Sequence, residues 1–214
     1  MTYRVVQWAT GNVGRNAIEG VLAHPELQLV GGFTYDPDKA GRDLGELCGI
    51  DPIGVAATAD VEEVLAIEAD CVLYAPMLPN TGEVLRIIRA GRNVVTPTGW
   101  FFPFRAHDVA ELEGACREAG VSIHGTGINP GGITEQLPIL LSGYCRDIRH
   151  VRAEEFSDIR TYPSEFVVRE IMLFGKSPED AAASPMLTIL GDGFGQSIDM
   201  VAEALQDRIP LIAD

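Results

Sequence analysis

The run Ala9-Thr10-Gly11-Asn12-Val13-Gly14 follows the strand-like segment Tyr3-Arg4-Val5-Val6-Gln7-Trp8 and leads at once into a helical pattern. Residues of these types in this order suit phosphate chemistry. Gly11 lets backbone N–H groups approach a pyrophosphate, Gly14 lets the helix pack close on the strand, and the helix N-terminus faces the negative charge. The first glycine of the usual G-x-G-x-x-G fingerprint is Ala9, and alanine is tolerated in tight turns that avoid positive φ. The alternative is an ordinary strand-to-helix turn with two glycines.

A dinucleotide site also needs an acid on the adenosine ribose. Asp36 lies 22 residues past Gly14 and would favour NAD by accepting from the 2′-hydroxyl. Lys39 and Arg42 follow closely and could tolerate the 2′-phosphate of NADP. Asp36 could equally start the turn before Pro37. Ala75-Pro76-Met77 and Thr96-Pro97-Thr98-Gly99 end two apolar strands, where a nicotinamide ribose and ring would pass. Trp100, Phe101 and Phe102, with Phe104, form an aromatic cluster suited to lining an apolar substrate pocket, to capping a second domain or to a dimer contact. His124 at a strand end is a candidate general acid or base, as is Glu155 within the acidic group Glu154, Glu155 and Asp158. The bland readings are a structural histidine and a solvated edge. His107 and His150 carry less signal. No nucleophile elbow, no G-x-x-x-x-G-K-[ST] loop and no metal-ligand spacing is present.

The elements that must position these residues alternate. Helices are expected near 15–24, 61–66 (Asp60 as N-cap), across Val84, Leu85, Ile87 and Ile88 to an end at Gly91, and near 107–119. Strands are expected at 3–8, 27–34, around 53–56, at 71–75, 93–96 and 121–124. Five or six short apolar strands separated by helices predict an α/β fold: a Rossmann-like, doubly wound parallel sheet with ligands at the strand C-termini. Gly125-Thr126-Gly127-Ile128-Asn129-Pro130-Gly131-Gly132 marks a domain crossing. The expected division is 1–130 for dinucleotide binding and 131–214 for a smaller α+β domain, with a helix near 134–144 and a strand from Ile148 to Phe156. The latter would serve substrate binding and oligomerisation, and its open sheet edge favours a homodimer.

The 214 residues carry a formal charge of −15. That excludes nucleic acid and anionic membrane surfaces as ready partners, because phosphate binding needs a basic footprint. It suits solubility, and a cationic substrate such as an amine. Cys71 and Cys116 read as buried thiols in a reducing compartment. No signal peptide or transmembrane-length run is read, so a cytoplasmic protein is expected.

Val6-Gln7-Trp8-Ala9-Thr10-Gly11-Asn12-Val13-Gly14, Gly91-Arg92-Asn93-Val94-Val95-Thr96 and Gly125-Thr126-Gly127-Ile128-Asn129-Pro130-Gly131 together resemble the dihydrodipicolinate reductase-like superfamily. The likeness covers about residues 3–158 and is closer to the branch of 2,4-diaminopentanoate dehydrogenase and native amine dehydrogenases. It implies an NAD(P)-dependent oxidoreductase that moves a hydride between nicotinamide and a C=N, C–NH₂ or carbonyl carbon of a small substrate. Carried over, Thr10, Gly11, Asn12, Val13 and Gly14 hold the pyrophosphate, Asp36 the adenosine ribose, and Ala75, Pro76 and Thr98 the nicotinamide side. Asn129-Pro130-Gly131 forms the hinge side of the cleft, with Asn129 among the cofactor-binding residues. Two departures stand out. The His-His…Lys motif of true dihydrodipicolinate reductases is absent from Ala153–Asp158, which argues against lysine biosynthesis. The loop Thr98-Gly99-Trp100-Phe101-Phe102 lacks the catalytic glutamate of the amine dehydrogenases. Family members are longer, so the chain reads as a natural short form, a fragment or a subunit completed by a partner. The rival function is a non-catalytic dinucleotide-binding sensor or scaffold.

Overall fold

The computed structural model describes residues 1–205. The chain forms two compact units, Met1–Thr126 and Gly127–Asp214. The first thus closes at Thr126 rather than at 130.

The first unit alternates strands and helices: β1 (Tyr3–Trp8), α1 (Asn12–Ala23), β2 (Leu27–Phe33), α2 (Leu44–Cys48), β3 (Ala57–Thr58), α3 (Val61–Ala66), β4 (Cys71–Tyr74), α4 (Thr81–Arg89), β5 (Asn93–Thr96), α5 (Val109–Ala119) and β6 (Ile123–Gly125). All six strands are parallel, in the order β3-β2-β1-β4-β5-β6. The chain runs outward from β1 in both directions, so the crevice above the C-terminal ends of β1 and β4 is the switch point where such sheets take ligands.

Period two along β1 explains how the sheet is covered. Val6 and Trp8 face one way and join Val72, Tyr74 and Val94 under Val84, Leu85, Ile87 and Ile88 of α4 and Leu112 of α5. Val5 faces the other way and joins Leu29 under Ile18 and Val21 of α1 and Leu44 of α2. Each fully buried side chain of this kind is worth about 1.5–3 kcal/mol. The caps are chemical: Asp60 accepts from the Glu62 and Glu63 N–H groups, and Asn80 from the Glu83 N–H.

The strand expected around Ile53–Ala56 forms later, at Ala57–Thr58. Asp43 takes the N–H groups of Gly45, Ile53 and Gly54 on its carboxylate, and Gly54 has φ 77°, so this stretch curls around Asp43 instead of extending. Those bonds lower the Asp43 pKa. Cys71 and Cys116 are only partly buried. Burial still raises both thiols, Cys71 to about 11, which keeps them protonated and poorly nucleophilic at neutral pH.

The second unit contains α6 (Gln136–Ser142), α7 (Pro178–Ala182), α8 (Pro185–Ala204) and a π-helical turn at Val167–Ile171. The strand expected from Ile148 to Phe156 is not formed, and the described residues of this unit contain no strand. A strand needs a neighbour for its N–H and C=O groups; none is offered here, and the segment stays irregular. Among the described residues this unit therefore offers no strand to an α+β arrangement and no sheet edge to a dimer contact. Among all described residues, no helix is long and apolar enough to cross a membrane.

Candidate functional site

The turn from β1 into α1 is built from three interlocked residues. Gln7 shares the α1 side of β1 with Val5 and is fully buried. Its Nε2 donates to the carbonyls of Trp8 (3.0 Å) and Ala9 (2.9 Å). Ala9 has φ 76°, so the expectation of a turn that avoids positive φ is wrong. A non-glycine residue there costs about 1–2 kcal/mol. A Cβ on Gly14 would stand 2.0 Å from the Ala9 oxygen, so α1 rests directly on that carbonyl and only glycine fits. A Cβ on Gly11 would meet nothing within 4 Å. Gly11 is the α1 N-cap, makes no side-chain cap and is followed by no acid in the first turn. The helix N-terminus therefore presents N–H groups and positive dipole to open space, as an anion site requires.

On the β2 side, the Thr10 hydroxyl donates to Thr34 Oγ1 (3.2 Å), which accepts the Asp36 N–H (3.2 Å). Fingerprint and acidic residue are thus linked through one buried hydroxyl. Asp36 Oδ1 accepts the Asp38 N–H, and Lys39 Nζ lies 3.9 Å from Oδ2. Asp36 thus starts the turn before Pro37, and its side chain is exposed at the rim.

Sequence reasoning missed the arrangement beneath this rim. Glu83 Oε2 accepts from Tyr35 (2.6 Å) and from Tyr74 (2.7 Å), and the Trp8 indole N–H donates to the Tyr35 oxygen (3.2 Å). Burial, reinforced by the Glu83 hydrogen bond, pushes both phenol pKa values well above the ordinary range. Tyr35 and Glu83 are 48 residues apart, and no local pattern announces the pairing.

On the β4–β5 side, the Ala75 N–H donates to the Trp8 carbonyl (3.0 Å) and the Thr98 hydroxyl to the Pro76 carbonyl (3.0 Å). Gly99 has φ 80° and packs so close to Pro79 that a Cβ would stand 2.5 Å away. The two loops are therefore one surface. Trp100 does not line a pocket. It is 3% exposed, completes the core beside Tyr74 and donates its indole N–H to Asp108 Oδ1 (3.0 Å). An indole ring fills that corner while the carboxylate satisfies its polar edge. Phe101 and Phe102 are partly exposed, and Phe104 is 72% exposed.

Thr10, Gly11, Asn12, Val13, Gly14, Asp36, Ala75, Pro76 and Thr98 thus gather at the C-terminal ends of β1, β2, β4 and β5. His124 is exposed on the edge strand β6. Asn129 belongs to the second unit and donates its amide to Glu155, which is exposed on irregular backbone. The acidic group does not assemble: Glu154 pairs with Arg152, Glu155 with Asn129, and Asp158 with Arg160, which lowers the Asp158 pKa. A second missed residue is Glu135. It is fully buried and accepts from the Gly131 N–H (2.9 Å) and the Thr134 hydroxyl (2.7 Å), fixing the loop that follows Asn129.

Residues 5–124 match the family described as dihydrodipicolinate reductase, N-terminus. The chain belongs to this family. The amine dehydrogenase of Streptomyces virginiae is 37% identical over 212 residues, which cover 94% of this chain and 58% of that one. The 4-hydroxy-tetrahydrodipicolinate reductase of a Synechocystis species is 43% identical over 63 residues, 29% of this chain and 23% of its own. The solved amine dehydrogenase of Mycobacterium smegmatis superposes with a TM-score of 0.59 at 30% identity, over 67% of this chain and 44% of that chain. The chain thus spans little more than half the length of the Streptomyces relative. The Rossmann-like parallel sheet and the dihydrodipicolinate reductase family, expected from sequence, are both borne out, and the similarity to amine dehydrogenases agrees with the expected branch.

Proposed function

We propose that this chain is an NAD(P)-dependent oxidoreductase acting on a small substrate with a C=N, CH–NH₂ or carbonyl group. The observation that carries the reading is the β1–α1 turn: open space beyond Gly11, an uncapped helix N-terminus free of acid, and no room for a side chain at 14. This is a cradle that fits a pyrophosphate. The matches to amine dehydrogenases support the reaction class.

The nicotinamide would supply or accept the hydride, and the protein's share is binding and orientation. The N–H groups of Gly11, Asn12 and Val13 would take the pyrophosphate. Asp36 would accept from the adenosine ribose, which favours NAD over NADP, and Lys39 tempers that preference. Ala75, Pro76 and Thr98, already stitched together, would frame the nicotinamide side, with Phe101 and Phe102 toward an apolar substrate. Asn129 would join the cofactor contacts, and residues 131–214 would serve substrate binding and oligomerisation. Glu155 and His124 are the remaining candidates for moving a proton. We place the enzyme in the cytoplasm and read it as a homodimer; the dimer reading is supported by the apolar surface left exposed on the second unit, including Leu140, Tyr144 and Phe156.

The test is a titration with NADH and NADPH followed by nicotinamide fluorescence, then a panel of ketones with ammonia against a Gly11→Trp control. Micromolar binding, about −8 kcal/mol, with turnover of any ketone supports the reading. Binding without turnover on a broad panel selects the sensor or scaffold instead, a reading favoured by the lack of an acid between Thr98 and Phe102. Binding of neither cofactor sinks both.

A further inference from the structure

We propose that Gln7 is a positioning residue for dinucleotide binding: its buried amide holds Ala9 in the left-handed conformation for which the fingerprint usually keeps a glycine. The proposal rests on the cofactor reading above and concerns how the turn is held ready.

The hydrogen bonds identify the atom. One terminal atom of Gln7 lies 3.0 Å from the Trp8 oxygen and 2.9 Å from the Ala9 oxygen. Two carbonyls can be served only by an NH₂ group, so that atom is Nε2. Oε1 then points elsewhere, buried and without a partner. An unpartnered buried oxygen is unfavourable. An apolar side chain at 7 would avoid it and would continue the β1 pattern of Val5 and Val6. The amide is kept in spite of that cost, and what it does there is grip two successive carbonyls of the phosphate turn.

The grip matters because Ala9 resists its conformation. At φ 76° its Cβ crowds the backbone, and a free alanine would swing back to negative φ. That swing would turn the Ala9 carbonyl, on which α1 rests across the gap left by Gly14. Thr10 and Gly11 follow directly, so the N–H groups at the start of α1 would be re-aimed. With the brace, the competent turn is the ground state. Without it, the competent fraction falls, and the apparent dissociation constant rises by the inverse of that fraction.

A glycine at 9 removes the need for a brace, since φ near 76° is free for glycine. This gives a test that separates positioning from bulk stability. The full chain, Gln7→Met, and Gln7→Met with Ala9→Gly are titrated with NADH by nicotinamide fluorescence, and thermal unfolding is followed without ligand. Gln7→Met is expected to weaken NADH about tenfold, the size of the left-handed penalty for alanine. Adding Ala9→Gly is expected to restore affinity to within about threefold of the parent, because the turn then needs no grip. If Gln7→Met does not fold, recovery of both cooperative unfolding and NADH binding in the double variant supports the brace, and a double variant that stays unfolded overturns it. Unchanged affinity in Gln7→Met overturns it, as does a double variant that binds no better than the single one. Failure of the parent chain to bind either dinucleotide, seen before any substitution, sinks the cofactor reading and the brace with it.

Discussion

The two units differ in where they keep their apolar side chains. In Met1–Thr126 both faces of the sheet are sealed, by α4 and α5 on one side and by α1 and α2 on the other. In the described part of the second unit the buried apolar side chains are Val201 and Leu205, while Leu140, Tyr144, Phe156 and Ile198 are each at least 60% exposed. The sheet unit's sequence specifies a core that its own residues complete. The helical unit carries comparable apolar residues but turns them outward, along an open groove between α6 and α8 lined by Ile133, Leu137, Leu140 and Met200. Exposed apolar surface of that kind is a common mark of interaction sites.

Substitutions can break or sharpen this contrast. The largest effect is expected from Gly14→Ala, where the added methyl meets backbone rather than a flexible side chain. It should cost about 3 kcal/mol in urea unfolding and abolish NADH binding. A neutral outcome would show that the sheet unit is not as tightly set as its geometry implies. Next, Leu140→Glu tests the outward face of the helical unit. If that face mediates self-association, the dimer weakens by about 2 kcal/mol, read as a concentration-dependent mass; an unchanged mass removes it from the interface. Asp36→Ala should weaken NADH about tenfold, about 1.4 kcal/mol, and bring NADPH closer to NADH as Lys39 loses its partner. An unaltered ratio would leave Asp36 as a turn residue only.

The smallest effect concerns pH. Tyr35 and Tyr74 have raised pKa values because burial and the Glu83 carboxylate favour the neutral phenols. Their contribution is fully present below the unfolded value of about 10 and is lost as pH rises above it toward the folded values. Urea midpoints should therefore be insensitive to these groups up to about pH 10 and fall beyond it. Tyr35→Phe should flatten part of that fall; a variant with the parent's slope would dismiss the pairing.

What was legible in the sequence was local. β4 and β5 stood out as apolar runs bounded by Pro76 and Pro97, and α3 was announced by its Asp60 cap. Gly11, Gly14 and Asp36 could be singled out as candidates because their spacing matches that of a known turn. What was not legible needed contacts distant in sequence. Gln7 is polar within an apolar strand, and only the folded turn reveals the two carbonyls it serves. Tyr35 and Glu83 meet across 48 residues. Arg92 read as part of a motif, yet it is buried and donates to the Leu65 and Ile67 carbonyls at the end of α3, a structural duty. Trp100 sat on a loop by position and in the core by contact. Ile148–Phe156 has strand-like composition but no neighbouring strand, a condition that composition does not report.

The Glu83 carboxylate has one further consequence. By accepting from Tyr35 and Tyr74 it ties together the residue before Asp36 and the residue before Ala75, from its place in the first turn of α4. The separation between the two halves of the rim is thereby fixed before anything binds. For a dinucleotide held as proposed above, such a rim would act as a length gauge: a molecule that spans it would meet groups already in place at both ends, whereas one that reaches a single end would gain only half of them.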